Sequence, residues 1–341
     1  MEISKIEIGI PHGSVDNQDV FELLKHYSDL NINDLEHKFF SFVETTGAKH
    51  RFWRETPSEP YSVLMNTSRR LFEKFDPNLI DIVISCGASK YFAEPAHASI
   101  FCSKFRLTPS LAFDVSDGCM GWITAIEVLQ GFVEPDKIKY ALIISHEFPM
   151  GEKIGAIYPS AFKIKDLSQF DFKLPALTVG EATTLTIVKL CPAKKTSQRL
   201  EFPEGAEFCT MPFCNYAEFS GETEYIENSD EFHAHYNEMS KIGARPSLSM
   251  LNKLITEDQI NLVPHSYTHA FDKLEKFLKF DATIINFFSE YGNTATSSIP
   301  LNLAISSLRN ELDYNLPTYA WCASAGIKTA VMKLSLAADF S

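Results

Sequence analysis

The sequence lacks the features of several protein classes. Its seven cysteines contain no C-x-x-C pair, and the chain does not begin with a positively charged stretch followed by an apolar one. It also has no run of about 18 apolar residues. Acidic residues outnumber basic ones by 44 to 31, which gives a net charge of −13, so the overall field repels nucleic acid and anionic lipid. We therefore expect a cytoplasmic protein with no disulfide framework, no membrane span and no nucleic-acid partner.

What is present is the composition of a folded α/β protein. Of 341 residues, 45% are hydrophobic and 22% are charged, enough for a large core in one large or two medium domains. Short β-branched runs alternate with amphipathic segments, as in buried strands flanked by helices. The runs predict strands at 5–10, 79–85, 111–115, 140–145, 183–190, 260–263, 282–288, 319–323 and 329–334. The segments predict helices at 62–75, 96–105, 119–133, 230–255, 268–280 and 296–312.

The two halves of the chain repeat the same order of elements at an offset of about 180 residues. The segment at 81–83 corresponds to 261–263, and the segment at 140–142 corresponds to 319–321. An internal duplication is the simplest explanation. It predicts a first half at 1–190, a connecting segment at 191–229 and a second half at 230–341.

Cys119 is the first candidate for chemistry, because it follows a strand and a turn and precedes an amphipathic helix. The unpaired N–H groups of a helix N-terminus favour a thiolate, so we expect the pKa of this thiol to lie below its usual value of about 8.5. Position alone also fits a small buried hydrophobic residue, the commoner role of a free cysteine.

His265 and Asn293 are two further candidates at strand ends. His265 follows the apolar run that ends in Val263-Pro264, and Asn293 lies in Gly292-Asn293-Thr294 before a helix. His265 could polarise a carbonyl or move a proton, and Asn293 could donate a hydrogen bond to an oxyanion. Taken singly, each also fits a structural role, as a satisfied histidine or as a helix N-cap.

A metal site is not expected. His233 and His235 could present two ligands on one face of a strand, but the segment predicts a helix and no third ligand is suitably spaced. His265 and His269 are four residues apart, but the glutamate of the H-E-x-x-H zinc motif is absent.

Together, the three strand-end motifs resemble a known family. The segment 114–122 (DVSDGCMGW), Val263-Pro264-His265 and Gly292-Asn293-Thr294 are similar, in order and spacing, to β-ketoacyl-acyl-carrier-protein synthase III and its relatives in the thiolase superfamily. The resemblance runs from end to end. It includes three further segments, which are Thr46-Gly47-Ala48 with Arg51, Val179-Gly180-Glu181-Ala182, and the closing strands from Ala325-Gly326 to Leu334.

The resemblance implies a thiolase-like, five-layered αβαβα fold with internal duplication, in a homodimer or a heterodimer with a related subunit. It implies a Cys119–His265–Asn293 site without a metal or a tightly bound cofactor. Its substrates would be acyl thioesters of coenzyme A or of a phosphopantetheine carrier such as acyl carrier protein. The N–H groups of Cys119 and Ala323 would form the oxyanion hole. The acyl pocket would include four residues, which are Met120, Trp122, and Tyr91 with Phe92 reaching across the dimer.

Several positions depart from the family pattern. The tryptophan and arginine that clamp adenine correspond to Ser41 and Thr45, which favours a carrier-protein donor over coenzyme A. Thr268 replaces an asparagine, Ala270 replaces a basic residue that meets the carrier, and 322–324 (CAS) replaces a glycine triplet. Lysines at 273, 276 and 279 offer an alternative carrier dock. These departures favour a specialised member of the family, acting in secondary metabolism.

Three functions remain open at this point. The first is decarboxylative condensation of an acyl group on Cys119 with a malonyl- or β-ketoacyl-type thioester, in lipid or secondary-metabolite biosynthesis. The second is acyl transfer from Cys119 to an alcohol or amine without condensation. The third is a non-catalytic subunit of a heterodimeric ketosynthase, which the retention of Cys119, His265 and Asn293 argues against.

Overall fold

A computed structural model describes residues 1–91, 93–134, 139–151, 157–192, 197–211, 232–266, 268, 271–338 and 340. Its strands are β1 Glu2–Gly9, β2 Gly13–Asp16, β3 His50–Trp53, β4 Ile80–Ser85, β5 Leu111–Asp114, β6 Lys139–Glu147, β7 Ala182–Leu190, β8 Ser197–Glu201, β9 Cys209–Thr210, β10 His233–Ala234, β11 Gln259–Pro264, β12 Asp281–Ile284, β13 Thr318–Ser324 and β14 Lys328–Leu334. Its α-helices are α1 Asn17–Tyr27, α2 Ile32–Thr46, α3 Glu59–Lys74, α4 His97–Phe105, α5 Gly121–Leu129, α6 Phe170–Lys173, α7 Tyr236–Leu254, α8 Asp272–Glu275, α9 Phe288–Tyr291 and α10 Ser298–Leu308.

Two five-stranded sheets repeat one topology. The first has the order β1-β7-β6-β4-β5 and the second β8-β14-β13-β11-β12. In each sheet, the first two neighbouring pairs are antiparallel and the last two are parallel. The same order and the same strand directions in both sheets agree with the predicted duplication.

The two sheets stack with helices between and outside them. Helices α5 and α10 lie between the sheets, where Trp122 and Leu303 share one core with Ile84 of the first sheet and Val263 of the second. Helices α3 and α4 cover the outer face of the first sheet, and α7 covers the outer face of the second. The strands of these sheets are apolar on both faces because helices pack on both sides. The result is the predicted five-layered αβαβα arrangement.

One strand of the second sheet comes from the stretch 191–229, which the sequence predicts as a connection. Strand β8 pairs with β14 at the edge of the second sheet, as β1 pairs with β7 in the first. Residues 193–196 and 212–229 of that stretch lie outside the described residues. The division into 1–190, 191–229 and 230–341 stays a prediction.

The other differences from the sequence prediction are local. The strand predicted at 282–288 ends at Ile284, and residues Phe288–Tyr291 form α9 instead. The helix predicted at 268–280 is reduced to α8, and the helix predicted from residue 230 begins at Tyr236. The prediction omitted β2, β3, α1 and α2, whose buried side chains pack mainly on each other and on the segment 157–179. Of the described helices, none combines the length and apolarity that a membrane crossing requires.

Candidate active site

Four of the predicted site residues meet at one cavity of about 790 Å³. Cys119, His265, Asn293 and Ala323 all line it. The strands of the parallel parts of both sheets end beside this cavity, where the loops after β5, β11 and β12 begin. The carboxyl ends of parallel strands are where α/β proteins bind ligands. Duplication therefore brings residues more than 140 positions apart in sequence to a common site.

Cys119 is held in a tight turn between β5 and α5. Residues Gly118–Met120 form one 3₁₀ turn that leads directly into α5. Gly118 has a φ of +50°, a left-handed conformation that glycine adopts without the strain of a side chain. A Cβ atom there would also stand 3.0 Å from Oγ of Ser324. The turn therefore requires glycine immediately before Cys119.

The pKa of the Cys119 thiol differs from the sequence prediction. Cys119 does lie at the N-terminal end of a helix, as expected. Burial nevertheless raises its pKa well above the usual value, Cys209 and Glu147 act in the same direction, and its own backbone N–H opposes them only weakly. The expected lowering of the pKa is therefore wrong for the free chain, because the desolvation of a thiolate outweighs the helix N-terminus.

His265 lies directly beyond the end of β11. Its N–H donates to the carbonyl of Trp321 at 2.8 Å, and the side chain of Asn302 donates to the carbonyl of Pro264 at 3.1 Å, which fixes the strand end. Burial lowers the pKa of His265 to about 4, and a hydrogen bond with Asn293 opposes this shift. Nε2 has no well-formed hydrogen bond within the described part of the chain. The imidazole is thus neutral at pH 7 and has a nitrogen available for a ligand.

Asn293 is fixed by its backbone on both sides. Its N–H donates to the carbonyl of Thr178 at 2.9 Å, and its carbonyl accepts from Gly180 N–H at 3.0 Å. Its Oδ1 accepts from the N–H of Ala295 at 2.9 Å. The side chain of Asn293 thus lines the cavity together with His265.

The backbone of Ala323 points towards the same cavity. The carbonyl of Trp321 faces β11, since it accepts from His265. The backbone N–H and carbonyl groups of successive residues in a strand point to alternate sides, so residues two apart point to the same side. The N–H of Ala323 therefore faces the β11 side, as the carbonyl of Trp321 does. Ala323 lies two residues beyond Trp321, which with Pro264 forms the last β11–β13 pair. This N–H is therefore directed past the end of β11, where Ala323 lines the cavity.

The structure corrects the predicted acyl pocket. Met120 and Trp122 are 0% and 1% exposed and belong to the core between the sheets, where Trp122 Nε1 donates to Thr186 Oγ1 at 3.1 Å. They do not line the cavity, because the 3₁₀ turn and the start of α5 direct them into the middle layer. Tyr91 is 44% exposed and does not line the cavity of its own chain. Phe92 lies outside the described residues, so the reach across a dimer stays a prediction.

Glu147 is a cavity residue that the sequence prediction did not include. It is 1% exposed at the end of β6, and its carboxylate accepts from the N–H groups of Ala88 and Ser89 at 2.8 and 2.9 Å. It also accepts from Oγ1 of Thr296 at 2.5 Å. A charged residue ending an apolar strand was the signal in the sequence. The carboxylate joins the loop after β4 to the turn before α10.

The residues considered as metal ligands or as carrier contacts lie in different parts of the structure. His233 lies in β10 and not in a helix, and the described residues contain no cluster that could hold a metal ion. Ser41 and Thr45 of α2 line the cavity with Thr268. Residues 269 and 270 lie outside the described part, as does the side chain of residue 273.

No family model matches the chain, but individual relatives do. A β-ketoacyl-[acyl-carrier-protein] synthase III from Azobacteroides pseudotrichonymphae is 38% identical over 71 residues, 21% of each chain. Another, from Helicobacter hepaticus, is 22% identical over 270 residues, 76% of this chain and 77% of the relative. An acyl-CoA:acyl-CoA alkyltransferase from Xanthomonas campestris is 22% identical over 234 residues, 66% of each chain. The chain thus spans about a fifth of the first relative and about three quarters of the second.

Solved structures are similar over almost the whole chain. The 3-oxoacyl-[acyl-carrier-protein] synthase III from Aquifex aeolicus has a TM-score of 0.73 at 15% identity, covering 98% of this chain and 99% of the other. Xanthomonas campestris OleA has a TM-score of 0.80 at 16% identity, covering 97% and 96%. The thiolase-like fold and the resemblance to β-ketoacyl-acyl-carrier-protein synthase III are confirmed. The relatives carry the names of acyltransferases, in agreement with the predicted enzyme class.

Proposed function

We propose that this protein is a condensing acyltransferase that carries an acyl group on Cys119. The observation that carries the proposal is the convergence of Cys119, His265, Asn293 and the backbone of Ala323 on one cavity. Two carbonyl-binding groups beside a nucleophile suit two successive thioester reactions. A structural subunit needs no such set.

In the first half-reaction, Sγ of Cys119 attacks the carbonyl carbon of an acyl thioester. The thiol proton passes to the neutral imidazole of His265 as the new C–S bond forms, because burial keeps the pKa of the thiol high and the thiol protonated beforehand. The N–H groups of Cys119 and Ala323 stabilise the oxyanion. The original C–S bond then breaks, and the departing thiolate takes the proton from His265.

In the second half-reaction, His265 and Asn293 bind the carbonyl of a malonyl- or β-ketoacyl-type thioester. Loss of CO₂ from a malonyl thioester, or loss of the acidic α-proton of a β-ketoacyl thioester to solvent, leaves an enolate whose oxygen these two side chains stabilise. The enolate carbon attacks the acyl group, a C–C bond forms, and Cys119 leaves as a thiol after reprotonation. The relative named acyl-CoA:acyl-CoA alkyltransferase makes a second acyl-CoA an additional nucleophile to test.

The lining of the cavity fits an acyl chain. Apolar side chains from several elements surround it, among them Phe42, Ile157, Met211, Phe232, Phe271 and Phe288. Burial of such a chain is favourable by about 0.8 kcal/mol per CH₂. We expect a carrier-bound acyl donor and a second copy of the chain or a related subunit as partners, with no resident cofactor.

Intact-mass analysis tests the proposal directly. The protein is exposed to a panel of acyl-coenzyme A and acyl-carrier thioesters, then to malonyl, β-ketoacyl and acyl-CoA nucleophiles, and the label is located by peptide mapping. We expect one acyl group on Cys119 and its release with the nucleophile. A label on Cys209, the other described cysteine that lines the cavity, with Cys119 unmodified, would reject the assignment. Loading without release by any of these nucleophiles, but with release by an alcohol or amine, would favour simple acyl transfer.

A further inference from the structure

The turn that carries Cys119 is held by side chains from the other repeat. Cys322 and Ser324 lie on β13, two residues apart, so their side chains point to the same face of the strand. Both are buried, at 0% and 4% exposure. Ala323, between them, points the opposite way and is exposed at the cavity.

Ser324 bridges the two ends of the turn. The turn is closed by the N–H of Met120, which donates to the carbonyl of Asp117 at 3.0 Å. Oγ of Ser324 accepts from the same N–H at 3.3 Å and donates to the same carbonyl at 3.5 Å. Gly118 permits this approach because it has no side chain. A single hydroxyl thus contacts the residues on either side of Gly118 and Cys119.

Cys322 contacts the middle of the turn. Its Sγ donates to the carbonyl of Cys119 at 3.5 Å and also lies 3.7 Å from the carbonyl of Ala323. Burial raises the pKa of Cys322, so its thiol stays protonated and remains a hydrogen-bond donor. The carbonyl of Cys119 and the N–H of Met120 belong to one peptide unit and move together, and Cys322 and Ser324 both contact that unit. Ser324 also contacts the carbonyl of Asp117. The Cys119 N–H lies in the peptide unit between these two held units, so its motion is limited from both sides.

We propose that Cys322 and Ser324 are positioning residues that fix the spacing between the two oxyanion donors, the N–H groups of Cys119 and Ala323. One donor lies in the turn that these side chains hold, and the other lies on the strand between them. The inference rests on the proposed function, because it concerns the oxyanion of acyl transfer.

The test compares two reactions of the same thiol. Acylation by a thioester forms an oxyanion, whereas alkylation by iodoacetamide displaces iodide at a saturated carbon and forms none. In Ser324→Ala and Cys322→Ala we expect the acylation rate to fall about 10- to 100-fold, since misplacement of about 1 Å costs up to about 100-fold. KM for the acyl thioester and the alkylation rate should stay within about twofold. Cys322→Ser, which keeps a donor, should recover most of the acylation rate.

Matched controls are available elsewhere in the core. Ser306→Ala removes a buried hydroxyl in α10 that bonds Leu303, and Cys102→Ala removes a buried thiol in α4. Neither residue lines the cavity, so both variants should acylate as the wild type does. If Cys322→Ala does not fold, Ser324→Ala carries the test, because it removes a single oxygen atom.

The outcomes separate this inference from the function beneath it. Acylation of the wild-type protein tests the proposed function alone. If the wild-type protein is not acylated, both the proposed function and the positioning inference are overturned. Normal acylation in Ser324→Ala would overturn only the inference. Equal losses of acylation and alkylation would also overturn it, since they would show that the two residues maintain the thiol or the cavity and not the spacing of the donors.

Discussion

Lys328 and Asp117 form an ion pair between the two repeats, with Nζ 2.6 Å from Oδ1. Asp117 begins the turn that carries Cys119, and Lys328 begins the last strand of the second sheet. Arg199 of β8 adds a second ion pair to Oδ2 at 2.9 Å. The carboxylate is 8% exposed. The turn that carries Cys119 is thus joined to the second sheet by ion pairs as well as by the side chains of β13.

Asp117→Asn should lower the free energy of unfolding by about 2 kcal/mol, because it removes the charge that both cations share. Burial alone would raise the pKa of Asp117, but the hydrogen bonds from Lys328 and Thr124 outweigh it and the pKa is lowered. Its stabilising effect is therefore present above the pKa of an unfolded aspartate, about 3.9, and is lost as the pH falls through the lower folded value. Urea unfolding at pH 7 and near pH 3 measures both effects.

Glu201→Gln is the matched control for this prediction. Glu201 also pairs with Arg199, at 3.3 Å, but is 46% exposed. Exposed ion pairs contribute only about 0–1 kcal/mol, so this variant should unfold almost as the wild type does. A smaller loss in Asp117→Asn than in Glu201→Gln would contradict the assignment of the buried pair.

The raised pKa of Cys119 predicts a particular pH dependence of alkylation. A protonated thiol reacts only through its small thiolate fraction. As long as the pH stays below the pKa, this fraction grows about tenfold for each unit by which the pH rises. The rate of iodoacetamide modification in the free protein should therefore rise continuously from pH 6 to beyond pH 9. Cys119→Ala gives the background from other thiols. A plateau below pH 8 would show that the helix N-terminus, and not burial, controls this thiol.

Acyl loading should not require a deprotonation of His265 near neutral pH. Burial lowers the pKa of His265 to about 4, so the ring is already neutral at pH 6. Its contribution to the rate of acyl loading should therefore fall only as the pH drops towards 4. Single-turnover loading between pH 4 and pH 8 measures this, with circular dichroism to follow folding. A midpoint near pH 6.5 that disappears in His265→Ala would mean that the ring is hydrated in the working enzyme.

Replacement of Asn293 should separate the two half-reactions. Asn293→Ala removes one donor to the enolate oxygen, and loss of one such donor costs about 10²–10³ in rate. CO₂ release from a malonyl thioester should fall by that amount, whereas acyl loading, which uses the backbone donors, should survive. Asn293→Asp keeps an oxygen for the N–H of Ala295 but lacks the NH₂ group, so it should behave like Asn293→Ala. A small, equal change in both half-reactions would favour transfer to an alcohol or amine.

The acyl donor should be recognised mainly through its pantetheine arm. Ser41 and Thr45 line the cavity from α2, and the hydroxyl of Thr45 is occupied by the carbonyl of Ser41 at 2.8 Å. Neither provides the aromatic face on which a base stacks, a contact that contributes about 1–3 kcal/mol. We expect kcat/KM for carrier or phosphopantetheine donors to equal or exceed that for matched coenzyme A donors. A large coenzyme A advantage would show that other residues hold the adenine.

The regular elements were predictable from sequence because they depend on local patterns. All nine predicted strands exist, since most of them lie in sheets covered by helices on both faces and therefore form apolar runs that stand out from their surroundings. The motifs at Cys119, His265 and Asn293 were found because each follows such a run. Strand β8 was missed because it is a short edge strand with mostly polar, partly exposed residues.

The positions of the nine predicted strands along the chain, the duplication and the three candidate side chains could thus be read from the sequence itself. Only the tertiary structure decided that Met120 and Trp122 face the core, that burial raises the pKa of Cys119, and that Cys322 and Ser324 hold its turn. The reason is physical. Periodicity reports which residues a chain segment buries, whereas desolvation and hydrogen bonding depend on neighbours that here lie some 200 residues away.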